Sequence, residues 1–523
     1  MASCCALVAT SMAFSLRADI MGDLGWQFKL SEAKLGLAVG PGIWGFTVSI
    51  ILWSMVIDVL GLGTCLWMAF AGHLIGTSVV IFAQGFASLF IGWLLIGLAN
   101  GMVEASINPL AATVYADKKT HMLNILHAWW PGGLILGGLM GFGLTKVIGL
   151  DSPDIAESTR SIGWKIKMCF VFIPTLIYGG LILGQKFPKT ERAAAGVSTG
   201  DMFKQVGRPL FLFLLLCMLL TASTELGFNQ WVDVLMRKIA GLPGILVLVY
   251  TSALMFILRH FAGPLVHRFS PPGLLVTMAV ISLIGLLALS QSSTTGAIFL
   301  SATVLGIGVA YFWPTMLGTT SELFPKGGAL LLGLMGGAGM AIVGWVTVPI
   351  MGYIQDQYTL SSLPPKVEAQ VVEDRRVNQD KVEELSEEDQ QEVKDAQKYA
   401  AKNTVLWLAV CPAVLIALFG GFYLHTKKKG GYKQEVLATT GEAVSEGVEA
   451  AEAEPPAPEE GPAAPPAEGP EPEAQRPPEP GAQAGPPPSP QGEQPPESEK
   501  PEGGEQAPGP DEEEKDQGGG QQA

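Results

Sequence analysis

Asn100, Glu104 and Asn108 recur at four-residue intervals within an apolar run from about Phe86 to Val114, so in a helix they share one face. Ionising a carboxylic acid at bilayer depth costs about 2.5 kcal/mol or more, so such a group normally faces a polar cavity, a partner or a proton path. Glu104 is therefore the first candidate for proton exchange. Glu225 and Asn229, followed by Gln230 and Trp231, form a second polar stripe with the same spacing. Arg17 with Asp19, Asn124 with His127, Asp233, and Arg259 with His260 complete the polar residues inside apolar runs. Asp19, Glu104 and Glu225 are the proton-coupling candidates. Asn100, Asn108, Asn124, His127, Asn229, Gln230, Trp231 and Trp313 are the substrate-binding candidates. Planar apolar rings beside directional donors and acceptors suit a sugar, which has C–H faces and hydroxyl edges, and they suit other amphipathic small molecules as well. Arg259 reads as a structural partner for an acid or for helix-end carbonyls.

Only membrane-spanning helices could hold these residues. The chain is 48% hydrophobic and 15% charged, and a helical span takes about 20 mostly apolar residues. Twelve such runs lie between residues 2 and 425. The first contains Arg17 and Asp19 and has no basic residue before it, so it reads as a retained span rather than a signal peptide. The expected fold is an all-α integral membrane bundle of twelve transmembrane helices in two six-helix halves. Residues 1–185 form the first half, 186–207 a basic linker and 208–425 the second half, with a charged helical insertion at 361–402. Such a 6 + 6 plan around a central site is that of many secondary transporters. Basic residues gather in the loops on the linker side, including Lys186, Lys189, Arg192, Lys204, Arg208 and Lys427 to Lys429. This bias places both termini in the cytoplasm.

Pro109, Pro131, Pro314 and Pro349 fall inside apolar runs, where proline frees backbone groups and permits bends. Residues 426–523 form a Pro/Glu-rich tail that cannot bury a core and reads as disordered. It carries the whole of the net charge of −15, which argues against nucleic-acid binding and offers a surface to a protein partner. The six cysteines and six histidines show no metal-ligand spacing. No metal, no cofactor and no enzymatic activity is expected, since nucleophile–base pairs and phosphate loops are missing from the sequence.

The stretch GMVEASINPL at 101–110, the Leu123–Asn124 pair with His127, the ADI of Ala18 to Ile20, YFWPT at 311–315 and VPIMGYIQD at 348–356 together resemble the fucose/galactose/glucose:proton symporters of the major facilitator superfamily. The resemblance implies alternating access, and it matches Asp19 and Glu104 to the family's helix-1 aspartate and helix-4 glutamate, which are implicated in proton-coupled sugar binding. There are departures. His127 stands where fucose permeases have Gln, Trp313 where they have Tyr, and Arg17 and Ala18 where they have Asn. The superfamily's loop motif after the second helix is degraded, because Asp58 has no basic residue near it in sequence. The expected function is secondary active transport of a small polar solute, a hexose or related sugar, coupled to protons, with sodium as the alternative ion. The expected setting is the lipid bilayer of a bacterial inner membrane. The competing readings are an efflux carrier of amphipathic compounds and a non-transporting receptor or scaffold that has kept the carrier fold.

Overall fold

The computed structural model describes residues 1–437 apart from 31, 151, 153–154 and 374–375. The tail from 438 onward, with the expectations attached to it, lies outside the described residues. Among these, α1 (Ala2–Phe28), α2 (Lys34–Leu60), α3 (Leu62–Ile81), α4 (Phe86–Val114), α5 (Ala116–Ile148) and α6 (Glu157–Ile182) make the first six apolar helices. The second six are α7 (Pro209–Ala240), α8 (Gly244–His260), α9 (Ala262–Gln291), α10 (Thr295–Leu323), α11 (Pro325–Ser362) and α12 (Glu387–Lys428). Eleven are long and apolar enough to cross a membrane, and α8 is a shorter apolar helix.

Several boundaries differ from the sequence reading for identifiable reasons. Hydropathy places the eighth apolar run over 243–267 and the ninth over 272–292, yet α8 stops at His260 and α9 begins at Ala262. The gap expected at 268–271 is present as a kink inside α9 at Ser270 (φ 59°), and the break between the two helices comes earlier, at Phe261. Ser270 precedes Pro271 and Pro272, and a residue before proline is driven out of the helical region. The twelfth apolar run covers 403–425, yet α12 starts at Glu387 because Ser386 caps a polar first turn, its hydroxyl accepting from the Asp389 amide at 3.2 Å. The charged insertion is more than one solvated helix. Pro365–Val371, the antiparallel pair Val372–Glu373 with Arg376–Val377, and Gln379–Glu383 fold against the start of α12. Leu363, Val367, Val371, Val382, Val393 and Ala396 supply its small apolar core.

Lipid supplies no hydrophobic force to drive helices together, so small residues that let backbones approach closely matter most. On α5, Gly133, Gly137 and Gly141 face Ser11, Ser15 and Asp19 of α1 one after another, and a Cβ at any of them would collide with those side chains. Between the halves, Gly333 of α11 meets Ser54 of α2 in the same way. The halves also meet where α5 runs beside α8 and α10.

Candidate functional site

Near the centre of the bundle, Phe46 (α2), Glu104 (α4), His127 and Trp130 (α5), Glu225 and Leu226 (α7), Arg259 (α8), Trp313 (α10) and Met340 (α11) line a narrow cavity. Its cavity volume is about 20 Å³, room for about one water molecule. Glu104, Asn108 and His127 form a buried chain across α4 and α5. The Asn108 amide donates to Glu104 Oε2 at 2.7 Å, and its Oδ1 lies 2.9 Å from His127 Nε2. Because Oδ1 can only accept, Nε2 is the protonated ring nitrogen. His127 Nε2 is also 3.9 Å from Glu104 Oε2.

Arg259 is the polar centre of the second half and is almost fully buried. Its Nη2 donates to Glu225 Oε1 at 3.0 Å, its Nε to the Ala310 carbonyl at 2.5 Å and its Nη1 to the His127 carbonyl at 2.8 Å. A proline in a helix lacks the N–H that would bond the carbonyl four residues earlier. Pro131 therefore releases the carbonyl of His127, and Pro314 releases that of Ala310. Both released acceptors are taken by one guanidinium, whose planar fork of five donors fits several partners at once. Glu225 itself sits in a π-helical turn, Ser223–Gly227, which touches a second one, Val343–Thr347, through a 2.8 Å Ser223–Thr347 hydroxyl contact. Such turns are rare and often mark functional sites.

The end of the bundle that carries the 186–207 linker is sealed. Ala116, Thr120, Asn124 and His127 make a stripe on α5 that faces the second half. Glu322 at the end of α10 accepts from the Thr120 amide and hydroxyl at 3.1 and 2.6 Å, and Asn124 Nδ2 reaches Thr315 Oγ1 at 3.3 Å. The segment following α12 crosses the same seam. Tyr432 donates to Glu322 Oε2 at 2.7 Å, and Gln434 Nε2 to the Ala116 carbonyl at 2.6 Å. Asp58, which the sequence left without a basic neighbour, receives Thr190 and Arg192 from the linker. Lys119 at the start of α5 pairs with Glu191 at 2.5 Å.

The structure brings Glu104, His127, Glu225 and Trp313 to the central cavity, with Asn108 bonded to two of its polar groups. The other candidates are placed elsewhere. Asp19 does not pair with Arg17; it takes Lys167 at 2.6 Å, and Lys167 also donates to Thr145 at 2.7 Å. Asn100 Oδ1 is 2.8 Å from His73, whose other ring nitrogen is 2.9 Å from the Tyr178 hydroxyl, so it ties α3, α4 and α6 together. Asn124 belongs to the seam. Asn229 lines a separate small pocket with Thr251 and Met255, Gln230 is exposed, and Trp231 donates to the Val348 carbonyl at 3.2 Å. Sequence reasoning missed Phe46 and Met340 in the cavity, Lys167 beside Asp19, and the Thr120–Glu322–Tyr432 seal. An acid closing an apolar run was the available signal for Glu322.

The family Major Facilitator Superfamily matches residues 1–349. No curated protein sequence matches the chain. Among solved structures, the E. coli fucose:proton symporter FucP in its outward conformation superposes with a TM-score of 0.60 at 15% identity, covering 80% of this chain and 97% of that one. The proton:xylose symporter XylE gives 0.56 at 13% identity, covering 78% and 93%. The human organic anion transporter MFSD10 gives 0.53 at 11% identity, covering 80% and 98%. At these identities the likeness concerns the fold. With the family match over two thirds of its length and a twelve-helix bundle around a central polar cavity, the chain belongs to the Major Facilitator Superfamily and is a multi-pass membrane transporter.

Proposed function

We propose that this transporter carries a small polar solute of the sugar class by alternating access, and that Glu104 couples the movement to a proton. The observation that carries the reading is the buried Glu104–Asn108–His127 chain, which ends at the carbonyl held by Arg259 across the seam between halves. An ionised Glu104 only accepts hydrogen bonds, whereas a protonated one also donates. Protonation therefore changes what Asn108 can do with its amide, then what His127 can do with its ring, and so reaches the contact between halves. Trp130, Trp313 and Phe46 offer flat apolar faces beside these polar groups, a combination suited to a sugar ring. The cavity is narrow, so binding a hexose requires the halves to part at the end away from the linker.

The bias of basic residues toward the linker-side loops supports a cytoplasmic linker end, and we take the setting to be the inner membrane of a bacterium. The sealed end is then the cytoplasmic one, and the solute arrives from outside. The first and second halves, 1–185 and 208–425, move as the two rocking bodies with 186–207 between them. The test is uptake of a panel of radiolabelled hexoses and hexose derivatives into proteoliposomes, with and without an inward proton gradient, in the parent and in Glu104→Gln. Gradient-driven uptake of one solute that vanishes in the variant supports the reading, and dependence on a sodium gradient instead would replace the ion. If no panel member moves under any gradient, sugar symport is wrong, and the efflux and scaffold alternatives take its place.

A further inference from the structure

Charged side chains well inside the spans pair off as Asp19 with Lys167 and Glu225 with Arg259. Arg17 and Glu104 remain, and neither has an oppositely charged partner among the described residues once His127 is taken as neutral. Arg17 is partly buried in α1, with its guanidinium carbon 5.4 Å from the centre of the Phe14 ring. It makes no hydrogen bond or ion pair among the described residues. Its five donors are therefore unspent at a depth where an arginine is costly to insert.

The surroundings show where it is aimed. Arg17 and Asn100 line one small cavity with Trp93 and Gly42. Asn100 spends its Oδ1 on His73, while its amide NH2 makes no hydrogen bond among the described residues. Phe14, one turn before Arg17, separates this space from the central cavity. Its ring lies 5.4 Å from that of Trp130 and 6.1 Å from that of Phe46, and both of these line the central cavity. Arg17 thus offers a fork of donors one aromatic ring away from the site, on the side away from the sealed end. A carboxylate matches that fork with two parallel bonds.

We propose that the solute carries a carboxylate, as a sugar acid does, and that Arg17 binds it while Glu104 holds the proton. This rests on the transport reading above and deepens it. Charge balance then enforces coupling. The empty carrier with ionised Glu104 and the carrier loaded with both proton and anion have the same net charge in this region. The carrier holding the proton alone has one more positive charge, and the carrier holding the anion alone has one more negative charge. An uncompensated charge in a low-dielectric interior is costly, so the two balanced forms are the ones that cross between openings.

The experiment uses full-length protein in proteoliposomes with radiolabelled D-glucuronate and D-glucose as probes, and binding of the same probes read by tryptophan fluorescence in detergent. The expected result is saturable glucuronate uptake driven by a pH gradient and unchanged by a valinomycin-imposed membrane potential. Arg17→Gln should raise the glucuronate KM about tenfold or more, the loss of a charge-assisted bond, and Arg17→Lys should recover part of it. Equal glucuronate binding in the parent and Arg17→Gln overturns the proposal, provided that both keep the parent's thermal midpoint. So does glucuronate that is neither bound nor carried. In those cases glucose flux in the same vesicles decides separately whether the transport reading stands. Glucuronate bound through Arg17 but never carried would keep the site and defeat transport.

Discussion

Arg259 on α8 donates at 2.8 Å to the backbone carbonyl of His127 on α5, an acceptor left free because Pro131 stands four residues later. One bond therefore joins the second half of the bundle to the residue whose ring reads Glu104 through Asn108. The same guanidinium also holds Glu225 and the carbonyl released by Pro314. Any separation of the halves at this level must break the Arg259–His127 bond, while the other two bonds lie within the second half.

Removing the cation should be severe. Arg259→Leu leaves Glu225 buried beside two unsatisfied carbonyls, and breaking a buried pair costs about 3–5 kcal/mol. The expected outcome is a large drop in folded protein on fluorescence-detected size exclusion. Glu225→Leu combined with Arg259→Leu should recover much of the fold but no transport.

Pro131→Ala restores an N–H that competes for the His127 carbonyl. The expected effect is a helix as stable as before or more so, with thermal midpoint held or raised, and a transport rate lowered several-fold. A bond of this kind is worth about 0.5–1.5 kcal/mol net, which is the size of change that kinetics should show.

The strap after α12 should bias the carrier toward its sealed state. Tyr432→Phe removes the hydroxyl that donates to Glu322 Oε2. Labelling of Thr120→Cys by a water-soluble maleimide applied from the linker side is expected to be about two- to tenfold faster in that background, matching the loss of one hydrogen bond. An unchanged rate would show that the strap does not contribute to closure.

Close approach of α1 and α5 depends on glycine. Gly137→Val places carbon where Ser15 Oγ already lies, and overpacking of this sort costs about 1–3 kcal/mol. Its thermal midpoint should fall by several degrees. Gly143→Ala, with nothing within 4 Å of the added carbon, should leave it unchanged.

Hydropathy made the bundle legible, because each span advertises itself through about 20 apolar residues. The i, i+4 spacing of Asn100, Glu104 and Asn108 likewise put three polar groups on one face. It did not separate their partners. Asn100 and Asn108 are two turns apart, yet one is held by His73 and the other by Glu104 and His127, a distinction that depends on which helix lies alongside. Asp19 was legible as a membrane acid, but its partner Lys167 lies 148 residues away in sequence. Asp58 shows the same limit, since its arginine arrives from the linker. Prolines 131 and 314 were readable as sources of free carbonyls, and Arg259 as a partner for an acid or for carbonyls. That one residue meets both needs follows only from the packing of α5, α8 and α10.

The most direct measurement is solute-driven proton movement. Proteoliposomes loaded with a pH-sensitive dye and held with no imposed gradient receive the transported solute outside, and the internal pH is followed. The expected result is internal acidification that tracks solute uptake in the parent and is absent in Glu104→Gln, which should still exchange labelled for unlabelled solute. Acidification of equal size in Glu104→Gln, or uptake by the parent with no change in internal pH, would contradict a coupling role for Glu104.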